Sequence, residues 1–355
     1  MTRCWADRAA LAERAVTHRH LRRLAGVLPG TRIGRVRWPR RMPAPLSPWH
    51  YWWQAHLLDC LVDAQLRAPT RQRDAAIAQL VRTVRLRNLG RWTNAYYDDV
   101  AWFGLAVQRA GARVGPSGRA ALSAVTRQLR AGWTSDGGGG IWWRRGDDFK
   151  NAPANGPAAI LLARGGQLGA AVEITDWMAA TLVDPDIGLV RDGVRVHPDG
   201  SVRLVETAIY TYCQGVYLGA CVELAERDGD PRWVRRAAAV LAAVAERIAG
   251  ADGVIPGGTD AGDGGLFNGI LARYLAEATL RRRELAADAG RLVLASAESV
   301  WANRAEAEGG PVFAEDWRRP ARIPARDTPE ADLSVQLSGW MLLEAAARLT
   351  VDQRR

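Results

Sequence analysis

The chain of 355 residues carries a single lysine, Lys150, although 48 of its residues are Lys or Arg. Cysteines number four and histidines five. Each scarcity removes a class of function. Cys4, Cys60, Cys213 and Cys221 form no CxxC pair and no dense framework, so they read as reduced, packed thiols. His18 and His20 fall in one expected helix, and His50 and His56 in another. Neither pair has the i,i+4 spacing with a glutamate that a zinc-binding helix uses. No metal site is therefore expected. No apolar run reaches the roughly 18 residues that cross a bilayer. The N-terminal stretch MTRCWADRAALAERAVTHRHLRRLAG mixes Ala and Leu with charges. That is an amphipathic helix rather than a signal peptide, and it points to a cytoplasmic protein.

The formal net charge of +10 raises nucleic acid as a partner. A nucleic-acid-binding face gathers its cations along one stripe or helix. Here the arginines are scattered, and a general preference for Arg and Ala accounts for them. Nucleic acid is not an expected partner. The hydrophobic fraction of 48% supplies ample material for a core, which excludes disorder. One monomeric domain over residues 1–355 is expected.

Apolar spacing predicts helices almost throughout, at 5–25, 48–66, 72–87, 95–110, 117–131, 151–164, 167–183, 205–227, 231–249, 264–281, 284–303 and 331–349. Proline and glycine clusters punctuate the gaps. A short hairpin is expected around 192–207. The helices alternate in kind. The odd-numbered ones, such as PRWVRRAAAVLAAVAERIAG, carry one apolar stripe opposite Arg and Glu, as surface helices do. The even-numbered ones, such as AYYDDVAWFGLAV and IYTYCQGVYLGACVEL, carry aromatic, small and uncharged polar residues on most sides. Six outer and six inner helices joined by short links give an all-α fold, an (α/α)6 barrel. No fixed-period repeat supports an open solenoid instead.

The polar and aromatic residues gather at the starts of the inner helices, in WHYWW (49–53), NAYYDD (94–99), DGGGGIWWRRGDDFKN (136–151), YTYCQGVY (210–217) and GDGGLFNG (262–269). Aromatic platforms with a few placed polar groups suit the apolar faces and hydroxyl equator of a sugar. Trp142 and Trp143 follow four glycines, as a platform on an adaptable loop would. Trp52 and Trp53 read instead as a cap on the barrel core. Lys150, directly before Asn151, suggests a site that needs a compact ammonium rather than a guanidinium. Asp184-Pro-Asp186-Ile-Gly188 lacks the later ligands of a calcium loop and reads as a turn.

Asp98 and Asp99 are the unusual pair, two adjacent acids among Tyr96, Tyr97, Trp102 and Phe103. Unpaired buried carboxylates are costly, and like charges repel. Cleaving a glycoside by retention uses one charged and one neutral carboxyl about 5–5.5 Å apart. Adjacent helix positions diverge by about 100° and can border one cleft at such a separation. The helix start favours charge on one acid, and repulsion then keeps the proton on the other.

On these motifs, YYDDVAWFGLA, GGGGIWWRRGDDFKN, TYCQGVYLGACVEL, GDGGLFNGILARYL and LSVQLSGWMLLEAA, the sequence resembles glycoside hydrolase family 76, the endo-α-1,6-mannanases with an (α/α)6 barrel. The likeness covers most of the chain. It implies Asp98 as nucleophile and Asp99 as general acid/base, with no cofactor. It also implies a cleft holding Asn94, Tyr97, Trp142, Trp143, Lys150, Asn151, Tyr212, Gln214, Asp263 and Phe267 against an α-mannan, or a mannosylated oligosaccharide or glycolipid. KNAPANGPAA departs from the pattern with two prolines. Two other functions share such a barrel: a sugar epimerase, which needs histidine acid/base pairs, and a carbohydrate-binding or transglycosylating homologue of weak hydrolytic activity.

Overall fold

The computed structural model describes residues 4–39, 48–257 and 262–352. Among them are twelve α-helices: α1 Trp5–His20, α2 Tyr51–Arg67, α3 Arg71–Arg87, α4 Tyr97–Ala110, α5 Gly115–Ala131, α6 Ala152–Arg164, α7 Leu168–Thr181, α8 Thr211–Arg227, α9 Arg232–Arg247, α10 Phe267–Arg281, α11 Arg283–Ala302 and α12 Leu333–Asp352. The strands are short: β1 Leu21–Arg22, β2 Ile33–Gly34, β3 Phe149–Asn151, β4 Arg191–Val196, β5 Val202–Ile209, β6 Ala305–Ala307 and β7 Gly310–Val312.

The even-numbered helices form a closed ring in which α2, α4, α6, α8, α10 and α12 each pack on the next, and α12 returns to α2. Around it, α3 lies on α2, α5 on α4, α7 on α6, α9 on α8, α11 on α10 and α1 on α12. This is the expected (α/α)6 barrel with the expected inner and outer sets. The cause is visible in composition. The polar face of α9 is solvent-exposed, while Trp233, Ala237, Val240, Leu241 and Val244 are buried. Every residue of α8 from Cys213 to Leu224 is buried. Small residues set the spacing within the ring. A Cβ on Gly215 of α8 would stand 2.9 Å from the Leu271 backbone of α10, and one on Gly269 of α10 would stand 2.7 Å from Ser338 Cα of α12. Glycine at these points lets inner helices touch along their backbones.

Two boundaries differ from the sequence reading by more than three residues. Helix α1 stops at His20, because Leu21 and Arg22 pair with Gly34 and Ile33. The expected helix 205–227 begins only at Thr211, because Val202–Ile209 pairs antiparallel with β4. The alternation of Val202, Leu204 and Glu206 fits a strand as well as a helix start, and the pairing partner decides it. β3, β4 and β5 make one antiparallel sheet that lies across the starts of the inner helices. The two prolines of KNAPANGPAA do not break α6. Pro153 occupies the first turn, where the missing N–H costs nothing, and Pro157 sits one turn further in. Asn151 caps this helix, its side chain accepting from Ala154 N at 3.2 Å. Asp184 closes a tight turn by accepting from Asp186 N at 2.9 Å, and it pairs with Arg191. Among the described residues no helix is long and apolar enough to cross a membrane.

Candidate active site

The starts of the inner helices and the sheet β3–β5 surround a cleft of about 620 Å³. Helix α4 contributes Asp98 and Trp102, and α2 contributes Trp52. The loop before β3 gives Trp143, and the sheet itself gives Phe149, Asp192 and Arg195. On the far side, Tyr210 and Tyr212 from the start of α8 meet Phe267 from α10. Tyr212 and Phe267 stack face to face, with centroids 3.9 Å apart and an interplanar angle of 2°. Rings therefore form two walls, and carboxyls occupy the spaces between them.

At the cleft the chain is folded so as to present Asp98. The segment after the glycines is pinned to the start of α4, where Tyr97 N donates to Trp143 O at 2.8 Å and Arg145 N donates to Ala95 O at 2.9 Å. That brings the Trp143 indole to Asp98, with Nε1 donating to Oδ2 at 3.0 Å. The other oxygen, Oδ1, accepts from the Asp99 amide at 2.8 Å. Asp99 has a different partner, since Asn94 Nδ2 donates to its Oδ2 at 2.5 Å. Burial pushes the Asp98 carboxyl up to about 7, against the opposing pull of the Asp99 amide and the Trp143 indole. Asp99 is pushed well above the usual carboxylate range, first by burial and then by the charge of Asp98. The pair thus separates into an acceptor served by two donors and a proton holder.

Of the residues expected at the site, the cleft brings together Asp98, Trp143, Asn151, Tyr212, Asp263 and Phe267. Asp99 and Asn94 stand directly beside Asp98 through the contacts above. Four expectations are corrected. Lys150 is wholly buried and does not face the cleft. Its ammonium donates to the carbonyls of Thr134 (3.1 Å), Asp136 (2.6 Å) and Gly139 (2.8 Å) and to Thr134 Oγ1 (2.9 Å). A compact ammonium is indeed needed, but to hold the glycine loop. Trp142 points away from the cleft and covers that ammonium at 4.4 Å. Gln214 is wholly buried in α8, where it bonds both the amide and the carbonyl of Val190 and so ties α8 to the start of β4. Tyr97 packs its ring where a Gly132 Cβ would stand, which explains that glycine and takes the tyrosine off the cleft.

Trp52 and Trp53, read as a core cap, divide. Trp53 is buried, whereas Trp52 lines the cleft, and both indoles donate to Asp263 Oδ1, at 3.0 and 2.7 Å. Sequence reasoning missed Asp192, Arg195 and Phe149. All three lie in the hairpin and its neighbour, whose approach to the cleft depends on long-range pairing. The signal available was the β-like alternation of 192–207. Asp192 is pushed up to about 6 by burial and by Glu206. Among the described residues no group of three or more His, Cys, Asp or Glu is placed to hold a metal.

A helical barrel whose inner-helix starts carry a carboxyl pair in a ring-lined cleft is the architecture of a carbohydrate-active protein. The sequence matches the profile of glycosyl hydrolase family 76 over residues 8–349, and the chain belongs to that family. It is 29% identical over 220 residues to the mannan endo-1,6-alpha-mannosidase DCW1 of Candida glabrata, a match covering 54% of this chain and 49% of the yeast protein. The chain thus spans about half the length of that curated relative. It is also similar to the structure of an alpha-1,6-mannanase from Salegentibacter sp., with a TM-score of 0.84, 28% identity, and 97% of this chain and 99% of that chain covered. An inactive variant of that mannanase, in which two consecutive aspartates are replaced by asparagine, is known in complex with alpha-1,6-mannotriose, again at 28% identity and a TM-score of 0.84, with 97% and 99% of the two chains covered.

Proposed function

We propose that the protein is an endo-acting hydrolase of α-1,6-mannosidic linkages that works with retention of configuration. The observation that carries this reading is the unequal setting of two adjacent carboxyls at the start of one inner helix. Asp98 faces the cleft and accepts two hydrogen bonds, at the positive end of the α4 dipole, so it takes the charge. Asp99, desolvated beside that charge, keeps its proton. One oxygen of Asp98 attacks the anomeric carbon while Asp99 protonates the departing glycosidic oxygen. The resulting glycosyl ester on Asp98 is then opened by water, whose proton returns to Asp99. Trp143 holds Asp98 in line throughout, since an indole N–H can only donate.

The stacked Tyr212–Phe267 pair, with the Trp52 ring beside Phe267 at a centroid distance of 6.4 Å, gives platforms for sugar faces in the cleft that Asp98 lines. The open cleft suits a chain that passes through, whether α-mannan or the mannosylated part of an oligosaccharide or glycolipid. That the Salegentibacter variant with two consecutive aspartates replaced is inactive supports a catalytic part for the adjacent pair Asp98 and Asp99. Digestion of linear α-1,6-mannan, with products sized by mass spectrometry, tests the reading. Short α-1,6-oligosaccharides should appear with the native chain and vanish with Asp98→Asn or Asp99→Asn. Release of mannose alone, or undiminished cleavage by either variant, would overturn it.

A further inference from the structure

Asp263 belongs to the short turn Gly262–Leu266 before α10, yet it is held as firmly as a core group. Its Oδ1 accepts from both Trp52 and Trp53. Among the described residues it makes no ion pair. Both indoles sit in the first turn of α2, and the Trp52 backbone itself hydrogen-bonds Asp99. One rigid helix thus connects Asp263 to the proton-holding acid. The cleft also places Asp263 among the same walls as Asp98.

We infer that Asp263 is a positioning residue for the hydrolysis proposed above: a third carboxylate, fixed beside the Asp98–Asp99 pair by two indoles, whose negative charge sets how high in pH the window lies in which that pair holds one charge and one proton. The inference rests on that functional reading. Burial is the main reason both acids hold protons, and on Asp99 the charge of Asp98 comes next. Asp263 acts in the same direction on each. The other groups facing the pair do not oppose it. On α2, His56 is pushed down to about 3 by burial and by Arg273 and is neutral, while His50 stacks on Trp53 and Tyr51 donates to Trp92 O. On β4, Arg195 is engaged by Asp148 and Glu206, and Asp192 adds no positive charge. On α8, burial raises Tyr212 well above the usual phenol range, so it stays neutral. Beside α4, Arg145 donates to the Asn94 carbonyl. At the start of α12, Asp332 pairs with Arg37 at 2.6 Å and accepts from Gly262 N.

The experiment is the pH dependence of kcat/KM on α-1,6-mannotetraose for the native chain, Asp263→Asn and Asp263→Glu. The amide keeps an acceptor for both indoles while removing the charge. Both limbs of the profile should move to lower pH by about one unit, since a unit charge at short range in a partly screened site acts on that scale. Well out on the alkaline limb this reads as roughly a tenfold loss, and on the acid limb as a gain of the same size. Asp263→Glu should restore the native profile. If Asp263→Asn does not fold, Asp263→Ser, whose hydroxyl also accepts, serves in its place. An unmoved profile with raised KM would make Asp263 only a ligand for sugar hydroxyls and overturn the inference. An unmoved profile with a lowered melting temperature would make it only structural and overturn it equally. Carbon-13 titration of the aspartate carboxyls in the resting protein reads the same shift without substrate. Absence of mannan cleavage together with a shifted titration therefore counts against the function and not against the charge effect.

Discussion

Lys150 shows how a residue type can be read correctly and placed wrongly. Its singularity among arginines marks a need for an ammonium, but the four acceptors around it belong to the glycine loop. With φ values of 63°, 78°, 131° and 84°, Gly137 to Gly140 follow a backbone path that other residues rarely adopt, and along it Gly139 turns its carbonyl to the ammonium. Lys150→Met should leave those carbonyls unpaired and loosen the segment that delivers Trp143 to Asp98. We expect a lower melting temperature and a fall in kcat of at least about tenfold, a loss of some 1.4 kcal/mol of transition-state stabilisation. The two tryptophans should part company. Trp142→Ala should lower stability, by removing the ring over the ammonium. Trp143→Ala should leave the melting temperature near its native value while cutting kcat, because the indole acts on Asp98. Calorimetry beside steady-state kinetics reads both.

Asp98 carries a cost at the same scale. A carboxyl whose native pKa lies at about 7 against an ordinary 3.8 binds its proton more tightly when folded. Stability is then lost as pH rises from about 4 through about 7. Asp98→Asn removes the penalty, so its melting temperature should exceed the native one by about 2 °C or more at pH 8 and match it near pH 4. A variant less stable than the native chain at pH 8 would contradict the raised pKa.

Among elements, the inner helices divide their labour by end. Their starts make the cleft, while their last turns carry Arg67, Arg109, Arg164, Arg227 and Arg281, where cations offset the helix dipoles. Behind these lie buried acids. Asp59 and Asp63 of α2 are shared by Arg109 of α4 and Arg273 of α10, the latter at 3.2 and 2.7 Å, which ties three inner helices across the barrel. Burial pushes Asp63 up, but Arg109, Arg273 and Arg348 outweigh it and hold it low. Glu277 is likewise brought down to about 2, as Arg348, Arg109 and Arg164 overcome its burial. Depressed carboxyls stabilise above their unfolded pKa and cease to do so as pH falls toward the folded value. The barrel should therefore lose stability between about pH 4.5 and pH 2. Arg273→Met strands two buried charges on one arginine and should cost about 3–5 kcal/mol in urea unfolding at pH 7. A cost below about 1 kcal/mol would place the stability elsewhere. None of this tie was visible in the sequence, where nothing in α2 points from Asp59 and Asp63 to arginines 46 or more residues away.

For the whole molecule, the alternation of striped and all-round apolar helices made the barrel legible, because each kind can be buried in only one way. Asp98 and Asp99 were legible for a related reason, being acids where burial makes acids expensive. The sheet's share of the cleft was not. Asp192 and Arg195 acquire their position only when β4 pairs with β3 and β5, and a hairpin expected around 192–207 does not by itself say where on the barrel it lies. Gln214 misled because a buried amide that bonds backbone looks, in sequence, like one that bonds a sugar. What the whole assembly is proposed to do reduces to one stereochemical outcome. Side-by-side aspartates on one helix leave little room for a water between acid and anomeric carbon, so the reaction should pass through a sugar ester on Asp98. Proton NMR of α-1,6-mannotetraose in the first minutes of digestion records the anomer before mutarotation mixes it. The account predicts that the α-anomer appears first and the β-anomer only later. A product that is β from the outset would contradict it.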